Sequence, residues 1–577
     1  MLALTALLLL PLMAFTGFAI DLGSWAGTAS RAQAAADAAA LSGVVYLPDL
    51  PARAISVARE TAAKNGYTDG VNGVTVTATP NSRNELDVVI FDPNVGQYFS
   101  SVFTDPPDIT RSATAEFIRP VAMGSPSAHL GQDPELTVDP AFVLNTAGPG
   151  STKENGDKRS TTNCTNAHAG CTGGVNSDYS PDGYLYAVEV NTATSASGQP
   201  LKIEVFDPAY VYNGDSCESA NNPDPNFSAG QLTNLASRYS DTRATARYQR
   251  GRTLYCMGDQ NLAGSTGNPN SVITTYIVRA PDDTPSDLSD NPAICAITFD
   301  PYNPNGTTQM YDRLNTNAVV GRENQRFGDH YRKWFPVCTV PSGQVQEGTY
   351  VLQVRTNANL SAPPTMGSGL SASNINAGLT GAGSLENASG ATNTSGYNRY
   401  TLRAGRGSNL TNDYLTAFTG VSVSGIGHLP IYMNRISPSA EFHLARIVPE
   451  TAGKTLQLIF WDMADLSGTG VSATFTLIPP PDSSGTPFQC TFSRDGTTPP
   501  PGAVISGCSA SGLTNANYNG RNMIVRIPIP GNYNCDVDDP NGCWTKVRVQ
   551  VVGSGASAAD TTTWSASMTG DPIRLIR

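Results

Sequence analysis

The hydrophobic pattern changes twice along the first hundred residues. Met1 to Ile20, MLALTALLLLPLMAFTGFAI, has no charged side chain. Twenty largely apolar residues at about 1.5 Å each span the roughly 30 Å hydrocarbon layer of a bilayer. Backbone groups there must be satisfied internally, which predicts a helix. Pro11 would kink it or mark its midpoint, and Asp21 ends the run. From Leu22 to Leu41, LGSWAGTASRAQAAADAAAL, Ala dominates and no Pro occurs before Pro48, so the helix is expected to continue. Ala29, Ala32, Ala36 and Ala40 fall at helical spacing, a stripe that lets another helix approach closely or packs on the chain's own domain. Pro51 to Asn65 reads as a second helix. Gly73 to Pro80 and Glu85 to Phe91 then alternate as two strands.

The leading run has two readings. A cleaved signal peptide would use small residues before the cut, and Gly17-Phe18-Ala19 fits that rule. A membrane anchor leaves everything after Asp21 outside the cytoplasm. It is favoured here because the helical pattern does not stop at Asp21. No Lys or Arg precedes the run, so loop charge does not orient it, and a basic cytoplasmic stub is expected to be missing from the sequence.

Beyond residue 122 the period-two pattern returns in pairs. Tyr184 to Asp207 and Phe442 to Asp462 alternate alike. Leu201, Ile203, Val205, Phe206 and Asp207 align with Leu456, Leu458, Phe460, Trp461 and Asp462. Trp334 with Tyr350 to Thr356 echoes Trp544 to Val552. The expected architecture is mainly β. A membrane helix continuing into an Ala-rich helix takes 1–45, and a small α+β module takes 46–122. Two related, disulfide-stapled β-sandwiches of jelly-roll type take 123–405 and 406–577. Residues 360–397, rich in Gly, Ala, Ser and Asn, read as a flexible insertion.

Composition agrees with a β-rich exported protein. The 577 residues are 39% hydrophobic but only 15% charged, with 55 Gly and 41 Pro. A net charge of −12 leaves little to neutralise phosphates, so no nucleic-acid partner is expected. The ten cysteines lie at or after residue 164 and contain no CxxC. Disulfides between sequence neighbours are expected: Cys164 with Cys171, Cys217 with Cys256, Cys295 with Cys338, Cys490 with Cys508 and Cys535 with Cys543.

At its N-terminus the chain resembles the TadE/TadG-like proteins of bacterial tight-adherence (Flp) pilus assembly. Ile20-Asp21-Leu22-Gly23, the Ala36-Asp37-Ala38-Ala39-Ala40-Leu41 stretch, the second helix and the two strands follow in the family's order. Phe99 to Phe103 and Ser112 to Phe117 resemble its closing segments, so the likeness covers about residues 1–125. The resemblance implies a membrane-associated pilus-assembly protein with other assembly proteins as partners. Asp37 has two readings: it pairs with a neighbouring pilus-assembly subunit, or it sits on a solvated helix face. Gly17-Phe18 lies on the wrong side of the apolar run for a prepilin cleavage site, so such processing is not expected. The metal-binding DxSxS of large TadG-like proteins is absent; Asp465-Leu466-Ser467-Gly468-Thr469 is the nearest approach.

No nucleophile elbow, zinc helix, P-loop or dinucleotide loop is present, and His129, His168, His330, His428 and His443 are scattered. No catalytic residue, cofactor or metal is assigned. Asp207 and Asp462 read as turn caps. Asp536, Asp538, Asp539 and Asn541 between Cys535 and Cys543 could hold Ca²⁺ or form a solvated turn. The resulting expectation is a non-enzymatic, single-pass, cell-surface protein of pilus assembly or adhesion. The alternative is an extracytoplasmic carbohydrate-binding or carbohydrate-active β-sandwich protein.

Overall fold

A computed structural model describes residues 2–93, 95–102, 105–131, 142–148, 150–191, 198–207, 274–282, 284–288, 290–299, 334–356, 397–407, 420–436 and 439–576. Within these, the side chains of residues 2–11, 14, 298, 299, 434–436, 467, 555–557 and 559 are not described. Cys217, Cys256, His330 and most of the 360–397 stretch fall outside the described residues. The protein is mainly β, with antiparallel sheets and an N-terminal helix. It divides into two compact units: Met1–Arg119 with Thr284–Ser286 and Gly570–Arg577, and Pro120–Asp283 with Asp287–Thr569. The chain thus leaves the first unit after Arg119 and returns to it at Gly570.

In the first unit, α1 (Leu2–Val44) is one unbroken helix of 43 residues, about 65 Å long. The helix runs on through Pro11. α2 (Pro51–Lys64) starts with Pro at its first position, where no N–H is needed. The two helices pack on a sheet of β1 (Thr75–Pro80), β2 (Glu85–Asp92), β3 (Ile109–Phe117) and the C-terminal strand Ile573–Leu575. Alanine makes this packing close. Ala32, Ala35, Ala36, Ala39 and Ala40 of α1 and Ala54, Ala58 and Ala62 of α2 are buried against Leu86, Val88 and Ile90. A Cβ on Gly43 would lie 2.5 Å from Leu86 Cδ2 and 2.6 Å from the Ala54 carbonyl, so only glycine allows that crossing.

Among the described residues, no helix is long and apolar enough to cross a membrane. Ten of the nineteen helical residues in the uncharged run, 2–11, lie outside the described side chains.

In the second unit one contiguous core runs from Val121 to Ala566. The repeat seen in sequence has the same burial in both copies: Leu201, Ile203, Val205, Phe206 and Asp207 are buried, as are Leu456, Leu458, Phe460, Trp461 and Asp462. The strands do not separate at residue 406. Val421–Ile426 pairs with Tyr184–Val190, and His428–Ile436 pairs with Val143–Ala147. Within the later part of the chain, the long strand Trp544–Met568 serves several ladders. Its first half pairs with Ser439–Arg446 and Leu466–Ile478, and its second half pairs with His428–Ile436 and Thr455–Trp461. The pairings across residue 406 are instead made by Val421–Ile426 and His428–Ile436.

Disulfides join Cys164 to Cys171, Cys295 to Cys338, Cys490 to Cys508 and Cys535 to Cys543. Cys295 lies on Ala293–Phe299 and Cys338 on Trp334–Val340, strands that pair with different neighbours, so this bridge ties two strand ladders together.

Candidate functional site

Two regions hold more polar chemistry than packing requires. The first is the junction where the apolar part of α1 ends. Between residues 12 and 23, the described positions that turn inward are Gly17 and Asp21, four apart and therefore on one face. Leu12, Met13, Phe15, Phe18, Ile20 and Leu22 are all exposed, Phe15 at 76%. Asp21 is buried. Its carboxylate accepts the N–H groups of Tyr98, Phe99 and Ser100 at 2.8, 2.9 and 2.5 Å and the Ser100 hydroxyl at 2.6 Å. Burial pushes this carboxyl up, but those four donors outweigh it and hold the pKa at about 2. Gly17 completes the latch: a Cβ there would sit 2.8 Å from Phe99 Cβ. Tyr98 and Phe99 themselves remain exposed, at 67% and 55%.

Asp37, on the Ala-rich part of α1, is half-buried and accepts from Gln33 Nε2 at 2.7 Å. The same Gln33 nitrogen reaches the Ser112 carbonyl of β3 at 3.0 Å. Within the unit Asp37 thus braces a helix-to-sheet contact.

Residues 1–54 match the family of putative Flp pilus-assembly TadE/G-like proteins. No curated protein and no solved structure matches the chain. The matched segment comprises α1 and the start of α2; it contains Asp21 and Asp37 but not the Tyr98–Ser100 donors of the latch. It supports a role related to Flp pilus assembly.

The second region lies in the second unit, where the polar stretch 151–180 folds over Trp461. Lys153 is fully buried. Its Nζ donates to the Ala169 carbonyl at 2.7 Å and to the Asp178 carboxylate, and lies 4.4 Å from the Trp461 ring centre. Trp461 Nε1 donates back to the Lys153 carbonyl at 2.9 Å. Asp157 is buried and fully served: it accepts from the N–H groups of Ala147, Arg159 and Ser160 and from the Tyr184 hydroxyl. His168 Nδ1 lies 2.7 Å from the Gly520 carbonyl, and the Gly520 N–H donates to Asp462.

Of the remaining sequence-singled residues, His129 lies near enough to His443 to act on its charge, and the others noted below form no shared site among the described residues. His428 and His443 sit on consecutive strands that pair with different parts of Trp544–Met568, and their pKa values are held down at about 3 and about 4, chiefly by burial. Asp536 accepts from the Asp538 and Asp539 N–H groups, and Asp539 accepts from Asn541, so this loop turns on itself. Asp482 lies close to Cys535 and Cys543, but both sulfurs are spent in the disulfide. An open cleft of ≈ 200 Å³ is lined by Glu189, Asn191, Arg446, Asp538 and Trp544, among others. Trp544 is only 3% exposed and its Nε1 donates to Pro540, so it offers little ring face to a ligand.

Sequence reasoning missed the Asp21 latch, because its partners lie 77 to 79 residues away, and the Lys153–Trp461 stack, which spans 308.

Proposed function

We propose that this protein is a non-enzymatic, membrane-anchored component of Flp/Tad pilus assembly, with the bulk of the chain extracytoplasmic. The observation that carries the reading is the division of α1. Residues 12–22 expose Leu, Met, Phe and Ile side chains around most of the helix, whereas residues 32–44 bury an Ala stripe in a folded unit. Six such side chains in water forgo on the order of 10 kcal/mol of transfer free energy, so a bilayer or an apolar partner helix must cover them. The Asp21 latch marks the level at which the helix enters its own domain. The disulfides of the second unit fit an oxidising exterior. On this reading the second unit is a projecting spacer or adhesive module.

The carbohydrate-binding alternative has one observation in its favour, the Glu189–Arg446–Asp538 cleft. The burial of Trp544 weakens it, since sugar rings stack on exposed aromatic faces.

The test is genetic. A strain whose chromosomal copy carries Phe15→Lys and Phe18→Lys should make far fewer Flp pili than one carrying Phe15→Leu and Phe18→Leu, counted by electron microscopy. Equal pilus numbers in the two strains would contradict the assignment.

A further inference from the structure

The turn after Trp461 meets the long strand Trp544–Met568 where the Ala464 N–H reaches Asp560, which brings Asp560 beside the turn that carries Asp462 and Asp465. Asp462, Asp465, Asp560 and Glu154 act on one another: the charges of Asp465, Asp560 and Glu154 all raise the Asp462 pKa on top of its burial. Burial first, and then the Asp465 charge, push Asp560 up to about 8. Each acid has one oxygen in use. Asp462 Oδ1 accepts the Gly520 N–H at 2.5 Å, Asp560 Oδ2 the Ala464 N–H at 2.9 Å, Asp465 Oδ1 the Asn515 amide at 2.7 Å and Glu154 Oε1 the Thr165 N–H at 2.6 Å. The second oxygen differs. Asp462 Oδ2, Asp560 Oδ1 and Glu154 Oε2 are buried and have no hydrogen-bond partner. Asp462 and Asp560 are 0% and 1% exposed. None of the four acids forms an ion pair among the described residues.

Buried carboxylates are normally hydrogen-bonded, paired or bound to a cation. Asp157 shows what this chain does with a buried carboxylate that needs no ion: it surrounds it with four donors. Asp462 and Asp560 are as deeply buried and lack them.

We propose that Asp462 and Asp560, flanked by Asp465 and Glu154, form a divalent-cation site selective for Ca²⁺. No three of these acids bring one oxygen each to within 4.8 Å of one another. The ion therefore draws the carboxylates inward and completes its shell with backbone oxygens and water. Ca²⁺ tolerates six to eight such ligands in loose geometry, while Mg²⁺ demands a near-ideal octahedron. The site sits beside the Lys153–Trp461 stack, so filling it would fix the 151–180 stretch to the strand that ends at Trp461.

The full chain, purified in detergent and stripped with EDTA, is titrated with Tb³⁺ while tryptophan is excited, because Trp461 adjoins Asp462. Sensitised emission that saturates at one ion per chain, is displaced by Ca²⁺ in preference to Mg²⁺ and weakens at least tenfold in Asp560→Asn is the expected result. Asp536→Asn, in the separate 535–543 loop, should bind as the wild type does. Thermal unfolding gives the second readout: CaCl₂ should raise the Tm of the wild type but not that of Asp560→Asn. Absence of saturable emission, or equal emission from wild type and Asp560→Asn, would overturn the proposal. So would an Asp560→Asn chain that melts above the wild type in Ca²⁺ as well as in EDTA, since a proton would then suffice where a cation is invoked.

Discussion

A buried histidine beside two cations is a proton trap for the unfolded chain. His428 Nε2 lies 3.5 Å from the Arg159 guanidinium. Burial, together with the Arg159 and Lys158 charges, holds its pKa at about 3 in the fold. An unfolded histidine takes its proton near pH 6.5, so stability is full above that pH and falls as the pH drops towards 3. At pH 5 the loss relative to pH 7.5 should be about 2 kcal/mol. Urea unfolding of His428→Asn should show a shallower decline over the same range. Asp21 has the opposite sign. Its folded pKa of about 2 lies below that of a free carboxylate, so its contribution is present above about pH 4 and disappears as the pH falls through 2. Asp21→Asn should therefore melt below the wild type at pH 6, with the gap closing by pH 2. Persistence of the full gap at pH 2 would mean that the latch does not depend on the carboxylate charge.

At the scale of elements, close approach decides. Gly43→Val would drive a branched side chain into Leu86 and the Ala54 carbonyl. The expected cost is about 1–3 kcal/mol, read as faster amide exchange in α2 than in the wild type. The Cys295–Cys338 bridge closes 43 residues. Chain-entropy arithmetic gives it about 4 kcal/mol. The double Ser variant should lose a comparable amount in denaturant unfolding while Cys535–Cys543 remains oxidised. Much at this scale was legible in the sequence. Pro51 with the following Ala spacing located α2, alternation located β1 and β2, and the named apolar positions of the paired LxIxVF and LxLxFW patterns are buried in both copies. Tertiary pairing was not legible. Alternation shows which face of a strand is buried, not which strand lies beside it. Nothing in residues 421–436 announces that they pair with Tyr184–Val190 and Val143–Ala147. The Asp462–Asp560 juxtaposition was hidden for the same reason: 98 residues separate two acids that only the strand ladder unites.

For the whole molecule, chain order matters more than the sum of its parts. The chain leaves the small first unit after β3, builds the large β unit, and returns to place Ile573–Leu575 on β3. Arg574 seals that return with an ion pair to Glu116 at 3.0 Å. The small unit thus holds both ends of the large one, and α1 holds the small unit. If α1 is the anchor, every disulfide lies on the exterior side. The most direct measurement is protease accessibility in intact spheroplasts of cells expressing the chain with a C-terminal tag. The account predicts that the protein stays in the membrane pellet after carbonate washing. External protease should then remove the tag, and Cys295 and Cys338 should resist alkylation without reductant. A tag protected until the cells are lysed, on a carbonate-soluble chain whose thiols all alkylate, would contradict it.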